Sequence, residues 1–265
     1  MPLKVMTLNI LMGGEERMPL LLPLIARENP DVLVLQECLG WEGGERLGQV
    51  AAALNLPATE AHARLGIARP RPSGNRYHVA VVSRRPLRSA RAHNNAHFIG
   101  HCLLECGLES GLGPLTLFAA HFDSHHENLR FVEARYLRSL IEPAALGQGA
   151  FLLAGDPNCL SRADPYPVDL ADRVRRSGME KYGHPPRFEV IDELESFGWV
   201  DALRRRPVSS RWVTAHRHRG GEAIDFRTDY VFASPSLAER LLGADVVDVG
   251  DASDHHALTA TFTGV

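Results

Sequence analysis

The sequence predicts an α/β protein in which mixed β-sheets are covered by helices. Short apolar runs of strand length alternate with helical segments along the whole chain. No internal repeat, low-complexity tract or linker divides the 265 residues. The composition, with 45% hydrophobic and 23% charged residues, is that of an ordinary globular protein. We therefore expect a single domain over residues 1–265.

The first half of the chain is predicted to begin with two strand–helix pairs. The strands are the runs LKVMTLNI and DVLVLQE, and the helices that follow them are EERMPLLLPLIAREN and ERLGQVAAALNL. Asn29 and Pro30 end the first helix, because a residue before proline disfavours helical geometry. Residues 66–76 have loop chemistry. Further strands are predicted at YHVAVVS, HFIGHCLLECGL and GPLTLFAAHF.

The second half is predicted to open with a helix that begins at a capping box formed by Ser124 and Glu127. The strand AFLLAG follows, and then a polar connection, 160–188, with one short helix. A helix at EVIDELESFG ends at Gly198. The strand TDYVFAS, the helix PSLAERLL and the strands ADVVDV and HALTATF complete the chain.

Composition and sequence patterns also bear on location and partners. The formal net charge of −3 gives no global electrostatic reason to bind nucleic acid. No secretory signal pattern is present, and no run approaches the ~20 apolar residues of a membrane span. The four cysteines lack paired CxxC spacing, which favours free thiols in a reducing compartment. We expect a cytoplasmic monomer without a membrane span.

Eight polar residues interrupt or flank the predicted strands, and seven of them lie at a strand boundary. Any one of them could belong to an ordinary polar turn. Together they suggest a site, because functional groups gather where strands end on a rigid scaffold. The set comprises four carboxylates, two asparagines and two histidines: Asn9, Glu37, His121, Asp156, Asn158, Asp229, Asp254 and His255.

These residue types indicate metal-assisted chemistry on a phosphoester. Oxygen-rich ligands without cysteine suit Mg²⁺ or Mn²⁺ better than Zn²⁺. Carboxylates and histidines beside such an ion can neutralise phosphate charge, prepare a water molecule and hold a developing oxyanion. A histidine with a pKa near ~6.5 is suited to proton transfer around neutral pH.

The motifs TLNI, LQE, AHF, GDPN, TDYVFAS and SDHH occur in this order between residues 7 and 256. In order and approximate spacing they resemble the endonuclease/exonuclease/phosphatase superfamily, which has the deoxyribonuclease I-like fold. The resemblance implies a four-layer α/β/β/α sandwich of two mixed β-sheets flanked by helices. It also implies a divalent-metal-dependent phosphoester hydrolase.

The resemblance further implies a role for each of the eight residues. The residues implied to hold the metal are Asn9, Glu37 and Asp254. His121 and Asn158 would contact the phosphate, and Asp229 would hold His255. Asp156 would orient or deprotonate the attacking water, while the final histidine would serve as general base or phosphate contact. Which of these last two is the base stays open.

Two departures from the family argue against repair of abasic sites. Abasic-site endonucleases of the exonuclease III type usually carry a lysine soon after the LQE glutamate, whereas this chain has LQECLG. They also tend to have tyrosine where His121 stands. A histidine there is more similar to the deoxyribonuclease I, sphingomyelinase-type and phosphatase branches.

Substrate-binding residues are expected in two arginine-rich loops, 66–76 and 204–219. From these loops we select Arg76, Arg211 and Arg217, because a basic loop beside such a site could follow a nucleic-acid backbone. A solvated face in an arginine-rich protein is the competing interpretation. We therefore expect a nuclease acting on DNA or RNA. The alternatives are a phosphatase or phosphodiesterase for a small or lipid-derived phosphoester, and a catalytically inactive binding protein.

Histidines outside the main set receive a structural interpretation. His256 is predicted to pack in the first turn of the last strand. His216 and His218 could share a strand face, but they lack cysteine or carboxylate partners at zinc-finger spacing. The sequence therefore gives no positive indication of a second metal site.

Overall fold

The computed structural model describes residues 2–111, 113–219 and 221–264, and the side chains of residues 217–219 lie outside this description. The strands are β1 (Leu3–Asn9), β2 (Val32–Gln36), β3 (Ala63–Gly66), β4 (Val79–Ser83), β5 (Leu87–His93), β6 (Cys102–Ser110), β7 (Gly113–His121), β8 (Ala150–Asp156), β9 (Val200–Asp201), β10 (Ala215–Arg219), β11 (Glu222–Phe226), β12 (Tyr230–Ala233), β13 (Leu241–Val247) and β14 (Ala257–Phe262).

The helices lie outside the sheets. They are α1 (Met18–Glu28), α2 (Glu45–Ala53), α3 (Glu127–Ser139), α4 (Pro143–Gln148), α5 (Leu170–Ser177), α6 (Glu189–Phe197), α7 (Ala202–Arg205) and α8 (Pro235–Ala238). Single 3₁₀ turns occur at Glu15–Arg17, Glu180–Tyr182 and Gly250–Ala252. No helix within the described ranges is long and apolar enough to cross a membrane.

Two mixed six-stranded sheets form the framework. The first has the order β13-β14-β1-β2-β4-β3, and the second has the order β5-β6-β7-β8-β12-β9. One neighbouring pair in each sheet is parallel, β1 with β2 and β7 with β8. Strands β10 and β11 form a separate hairpin.

The inner faces of the two sheets share one apolar core. Alternation along β1 sends Leu3 and Val5 into this central core, whereas Met6 and Leu8 pack outward among residues of α1 and α2. The second sheet is covered in the same way by side chains of α3, α4 and α6. The predicted four-layer α/β/β/α sandwich is therefore confirmed, and the single domain over residues 1–265 stays a prediction.

Several strands were not predicted, among them β3, β5, β9 and β11, and one predicted helix is shorter than expected. Strand β3 lies at an edge of the first sheet, and β5 lies at an edge of the second. In β5 the five residues between Leu87 and His93 are all exposed, so the strand shows no apolar alternation. Helix α8 spans only Pro235–Ala238, because Leu241 already begins β13.

The predicted capping box at the start of α3 is wrong. The helix begins at Glu127, its N-cap residue is His126, and no side chain caps it. Asp123, one residue before the predicted cap, takes that part instead: its Oδ1 accepts hydrogen bonds from the backbone N–H groups of His125 (2.9 Å) and His126 (2.7 Å). Glu127 lies inside the first turn, where its Oε2 accepts from Nε of Arg130 at 3.0 Å.

The face of α3 that packs inward is also more polar than its sequence spacing indicated. Leu129 is 45% exposed, whereas the charged residues Glu127, Arg130 and Glu133 are buried. The helix therefore presents charged groups to the loop that carries Asp123, next to the candidate site described below.

Candidate active site

The site lies where the carboxyl ends of the two parallel strand pairs meet. Asn9 ends β1 opposite the end of β2, and His121 ends β7 opposite Asp156 at the end of β8. The Asn9 Nδ2 atom donates to Oδ2 of Asp156 (3.1 Å) and to Oε1 of Glu37 (3.2 Å). The side-chain amide of Asn9 thus links Glu37, which follows strand β2 of the first sheet, to Asp156, which ends strand β8 of the second sheet.

The backbone around these side chains is strained. Leu11, Met12, Glu37 and Asn158 have φ angles of 53°, 52°, 60° and 54°. Such left-handed conformations cost about 1–3 kcal/mol each in residues other than glycine, and they gather at functional sites. Hydrogen bonds from Met12 N to Glu37 Oε2 (2.9 Å) and from Gly13 N to Glu37 O (2.7 Å) hold the carboxylate in place.

Gly155 allows the two strands β7 and β8 to come close together just before Asp156. Its φ is 149°, and a Cβ atom at this position would lie 1.9 Å from the carbonyl oxygen of Ala120. Only glycine fits there without a backbone shift. The glycine of the GDPN motif therefore sets the approach of the strands that carry His121 and Asp156.

Three buried residues, Asp156, Asp229 and His255, form what we call the acidic wall. His255 Nδ1 lies 2.8 Å from Oδ2 of Asp229, and His255 Nε2 lies 3.9 Å from Oδ2 of Asp156. A carboxylate acceptor at Nδ1 favours the tautomer that carries its proton on that atom. The other ring nitrogen then faces Asp156. Thr228 Oγ1 donates to Asp229 Oδ2 at 3.2 Å and helps to fix this carboxylate.

Burial raises the pKa of Asp156 to about 6, and the nearby charge of Asp229 raises it further, whereas His255 and Lys181 oppose the shift. A carboxyl group with this pKa exchanges its proton close to neutral pH, as an acid–base group must. Lys181 Nζ lies 3.4 Å from Oδ1 of Asn158, the last residue of the GDPN motif. The ammonium group of this lysine therefore adds positive charge to that side of the site.

The donor set fits a divalent cation. Asp156, Asp229 and His255 each offer a ligand atom, and these atoms lie within 4.8 Å of one another. Oδ1 of Asp229 is buried and has no hydrogen-bond partner among the described residues. Glu37 adds a third carboxylate, linked through Asn9. Several carboxylate oxygens close together are the environment that Mg²⁺ and Mn²⁺ prefer.

On the opposite side, His101, His121 and Arg71 form what we call the histidine wall. The two imidazole rings stack with centroids 4.3 Å apart and planes inclined by 10°. Each side chain is 1% exposed, and none of the four ring nitrogens has a hydrogen-bond partner in the described part of the chain. Burial lowers the pKa of His101 to about 3 and holds the pKa of His121 well below its usual range. Both rings are therefore neutral at physiological pH.

A layer of charged groups supports the histidine wall from behind. Nη1 of Arg71 lies 2.9 Å from Oδ2 of Asp123. The backbone N–H groups of Gly100 and Asp123 both donate to the buried carboxyl group of Glu133, each at 2.7 Å. Burial raises the pKa of Glu133 to about 8. In front of the wall is a cleft of about 290 Å³ that reaches Glu37.

The structure brings most of the predicted site residues together. Asn9, His121, Asp156, Asn158, Asp229 and His255 are buried at this junction, and Glu37 is partly buried beside them. Asp254 adjoins His255 in the chain, but its side chain is exposed.

Of the three predicted substrate-binding arginines, the two with described side chains, Arg76 and Arg211, do not line the cleft. Arg76 is partly buried and its Nη1 donates to the carbonyl oxygen of Ala68 at 3.4 Å. Arg211 lines a different pocket, together with His216 and His256. The side chain of Arg217 lies outside the described residues. From the same loop as Arg76, it is Arg71 that lines the cleft.

Three residues of the site were not predicted from the sequence. They are His101, which stacks on His121, Arg71, which lines the cleft, and Lys181, which lies beside Asn158. Register could have indicated His101, because the β6–β7 hairpin pairs Cys102 with His121 and so places the preceding residue at the same sheet end. Lys181 is one of only two lysines in the chain. Its position depends on the connection before α6, for which sequence periodicity gives no guide.

Comparison with known proteins agrees with this geometry. The sequence model of the Endonuclease/Exonuclease/phosphatase family matches residues 6–255. The chain belongs to this family. Members are phosphoester hydrolases such as nucleases and phosphatases, and the protein is accordingly an enzyme of that class. No curated protein matches the chain significantly.

Solved structures from this family share the fold at low sequence identity. An AP endonuclease from Archaeoglobus fulgidus superposes with a TM-score of 0.71 at 16% identity, covering 98% of this chain and 99% of that one. A 3′-5′ exonuclease (NExo) from Neisseria meningitidis gives 0.68 at 19%, with the same coverage. A structure of 3′ phosphatase NExo from Neisseria bound to product DNA hairpin gives 0.67 at 20%, again covering 98% and 99%.

Proposed function

We propose that this protein is a Mg²⁺- or Mn²⁺-dependent phosphodiesterase that cleaves DNA or RNA. The observation that carries the proposal is the acidic wall. Its buried Asp229–His255 pair faces Asp156, and Asn9 connects Asp156 to Glu37 across the two sheets. The arrangement combines a proton-transfer pair with a set of oxygen ligands, which are the two elements that hydrolysis of a phosphoester requires.

In this proposal Glu37 is the principal metal ligand, and Asn9 and Asp254 complete the protein side of the site. Asp156, Asp229 and His255, whose ligand atoms lie within 4.8 Å of one another, border the ion and are assigned to proton transfer. A bound divalent ion would neutralise phosphate charge and polarise the scissile bond. Asn9 also keeps Glu37 and Asp156 at a fixed separation through its two donated hydrogen bonds.

The remaining residues position water and phosphate. Asp229 orients His255 and stabilises its protonated form, as carboxylates do in comparable dyads. His255 or Asp156 accepts the proton of the attacking water. His121 and Asn158 contact phosphate oxygens, and Lys181 adds positive charge within 3.4 Å of the asparagine amide.

Two observations support nucleic acid as the substrate. One structural neighbour, the 3′ phosphatase from Neisseria, is bound to a product DNA hairpin. Arg71 also reaches the cleft beside Glu37, where a guanidinium can contact a neighbouring phosphate of the same strand.

A small or lipid-derived phosphoester is the second candidate, and two other observations favour it. Arg71 is already paired with Asp123, so its charge is partly neutralised. The net charge of the chain is −3, which gives weak attraction for a polyanion.

A substrate panel separates the two candidates. Purified protein is incubated with single- and double-stranded DNA, RNA, and phosphate esters of sugars, inositol and nucleotides, with Mg²⁺ or Mn²⁺ and with a chelator as control. Cleavage of nucleic acid that needs the metal and is absent from Glu37→Gln supports the proposal. Turnover of a small ester with no cleavage of any nucleic acid would replace it with the second candidate. Inactivity on every substrate would favour a binding protein.

We also infer a cytoplasmic, monomeric protein. Cys38, Cys102, Cys106 and Cys159 are all free and buried, which suits a reducing compartment. Light scattering on the purified chain tests the oligomeric state, and a mass near twice 29.2 kDa would contradict the monomer.

A further inference from the structure

A second group of histidines and carboxylates lies on the other side of the SDHH motif. His256 points away from the acidic wall and meets His216 of strand β10, 40 residues earlier in the chain. Their Nε2 atoms are 3.2 Å apart and their ring planes are inclined by 84°. The sequence pattern gave His216 no metal-binding partner, and the fold supplies one.

The outer nitrogens of both rings have carboxylates beside them. His216 Nδ1 lies 2.6 Å from Oδ1 of Asp225 on the neighbouring strand β11. His256 Nδ1 lies 3.7 Å from Oδ1 of Asp248, beyond hydrogen-bond distance, and accepts a hydrogen bond from the backbone N–H of Val249 at 3.5 Å. A metal-binding histidine almost always donates its second ring N–H to a carboxylate, a carbonyl or water, which orients the ring and makes its free nitrogen a better ligand.

We propose that His216 and His256 bind a transition-metal ion of the zinc class through their facing Nε2 atoms. Two nitrogens bound ~2.05 Å from a tetrahedral zinc ion lie about 3.3 Å apart, close to the separation observed here. Without an ion, one of the two nitrogens must donate its proton to the other. A metal ion held by both lone pairs replaces that shared proton, which moves to Nδ1 of the ring that gave it up, beside Asp248 in the case of His256.

The chemistry of this site differs from that of the acidic wall. Neutral imidazoles select Zn²⁺, Cu²⁺ or Ni²⁺, whereas Mg²⁺ binds oxygen ligands. Among the described side chains, the carboxylates of Asp225 and Asp248 lie beside the histidine pair, and Arg211 lines the adjoining pocket of about 320 Å³. The pocket is open, so water or an anion held by Arg211 can fill the remaining coordination positions.

An ion here would tie the β10–β11 hairpin to the segment that carries His255. The backbone already links them, because His256 N donates to the carbonyl oxygen of Thr214 at 2.7 Å and Ala215 forms an isolated bridge with His255. The ion would add a direct side-chain link between the same two segments. Zinc should therefore raise the melting temperature of the folded chain by mass action.

The test measures zinc binding by calorimetry in a large excess of Mg²⁺, which keeps the oxygen-rich site occupied. Co²⁺ absorption is recorded in parallel, because a tetrahedral ion with nitrogen ligands gives a distinct visible spectrum. His216→Ala and His256→Ala are expected to lose one zinc per chain and the zinc-dependent rise in melting temperature. His97→Ala, which removes an exposed histidine elsewhere, should bind zinc as the wild type does.

Two further variants make the result specific. Asp225→Asn keeps both ligands but loses the carboxylate behind His216, so zinc affinity should fall by about 10–100-fold. Asp156→Asn alters the acidic wall and should leave this zinc site unchanged. Equal zinc stoichiometry and affinity in the wild type, His216→Ala and His256→Ala would overturn the proposal. Because the readout is binding and not hydrolysis, that outcome would leave the proposed function untouched.

Discussion

The acidic wall and the histidine wall both contain buried titratable groups, but the two sets differ in their hydrogen-bond partners. In the acidic wall, His255 has Asp229 at 2.8 Å, and Asp156 accepts a hydrogen bond from Asn9. In the histidine wall, His101 and His121 are equally buried, yet their ring nitrogens have no partner within the described residues. A buried polar group left unpaired costs about 1–3 kcal/mol. The acidic wall is therefore organised before substrate arrives, whereas the histidine wall has ring nitrogens that no described residue satisfies.

This contrast predicts the largest loss of activity in the acidic wall. His255→Ala removes one of the two proposed proton-transfer groups, so kcat should fall by ~10²–10⁴-fold with a small change in KM. The matched control is His256→Ala, one residue along the chain, whose ring lies on the other side and which should stay near wild-type activity. Equal losses in the two variants would remove the distinction between the adjacent histidines.

In the histidine wall, the prediction concerns a contact between His121 and the phosphate in the transition state. If His121 donates to a phosphate oxygen, His121→Ala should lower kcat by ~10²–10³-fold, as loss of one oxyanion donor does. Its folded state should be no less cooperative than the wild type by thermal unfolding. Unchanged kcat would assign the ring to packing alone.

A substitution of His101, whose ring stacks on that of His121, should have a smaller effect, and it should increase stability. His101→Phe keeps a flat ring against His121 but removes two unpartnered nitrogens, so the free energy of unfolding at neutral pH should rise by about 1–2 kcal/mol. Chemical denaturation measures this change. A decrease would show that the imidazole nitrogens are satisfied in solution.

The same variant should change the dependence of stability on acid. Burial lowers the pKa of His101 to about 3, so below the unfolded pKa of 6.5 the unfolded chain binds a proton that the folded chain does not. The contribution of His101 to the free energy of unfolding is therefore fully present above pH 6.5. It is lost as the pH falls, by up to about 1.4 kcal/mol per pH unit for one such group. His101→Phe should reduce this slope between pH 6.5 and 5, measured against the wild type.

Glu133, which lies behind the histidine wall, should give stability the opposite dependence on pH. Burial raises its pKa from 4.5 to about 8, so the folded chain holds a proton that the unfolded chain releases. Stability should therefore fall as the pH rises from 4.5 to 8, and Glu133→Gln should flatten the curve above pH 6.5. Parallel curves for variant and wild type would contradict the raised pKa.

The framework of the site could be predicted from sequence because strand ends are visible as polar residues after apolar runs. Asn9, Glu37 and Asp156 were found in this way, and the family resemblance assigned their roles. The same method misjudged α3, where Glu127 and Arg130 are buried as an ion pair and a capping box was expected. Hydrophobic periodicity gives no signal when charged residues occupy the inner face of a helix.

Contacts between distant loops were also beyond the sequence. The pairing of His216 with His256 depends on how the β10–β11 hairpin lies against the start of β14, which neither segment encodes alone. The position of Arg71 in the cleft depends on its ion pair with Asp123, 52 residues later. Such contacts join segments that are distant in sequence, so no local pattern indicates them.

The bridging amide of Asn9 has a consequence for how the enzyme fails. Its hydrogen bond of 3.1 Å to Asp156 spans the junction between the halves of the sandwich, whereas the bond of 3.2 Å to Glu37 stays within the first half. A sliding movement of about 1 Å between these halves would break the bond to Asp156, while each half could keep its own ladder of backbone hydrogen bonds. Catalysis would then stop in a molecule that still has native secondary structure. Enzymatic activity in this protein is thus a measure of how the two halves are aligned, and a more sensitive one than any spectrum of its helices and strands.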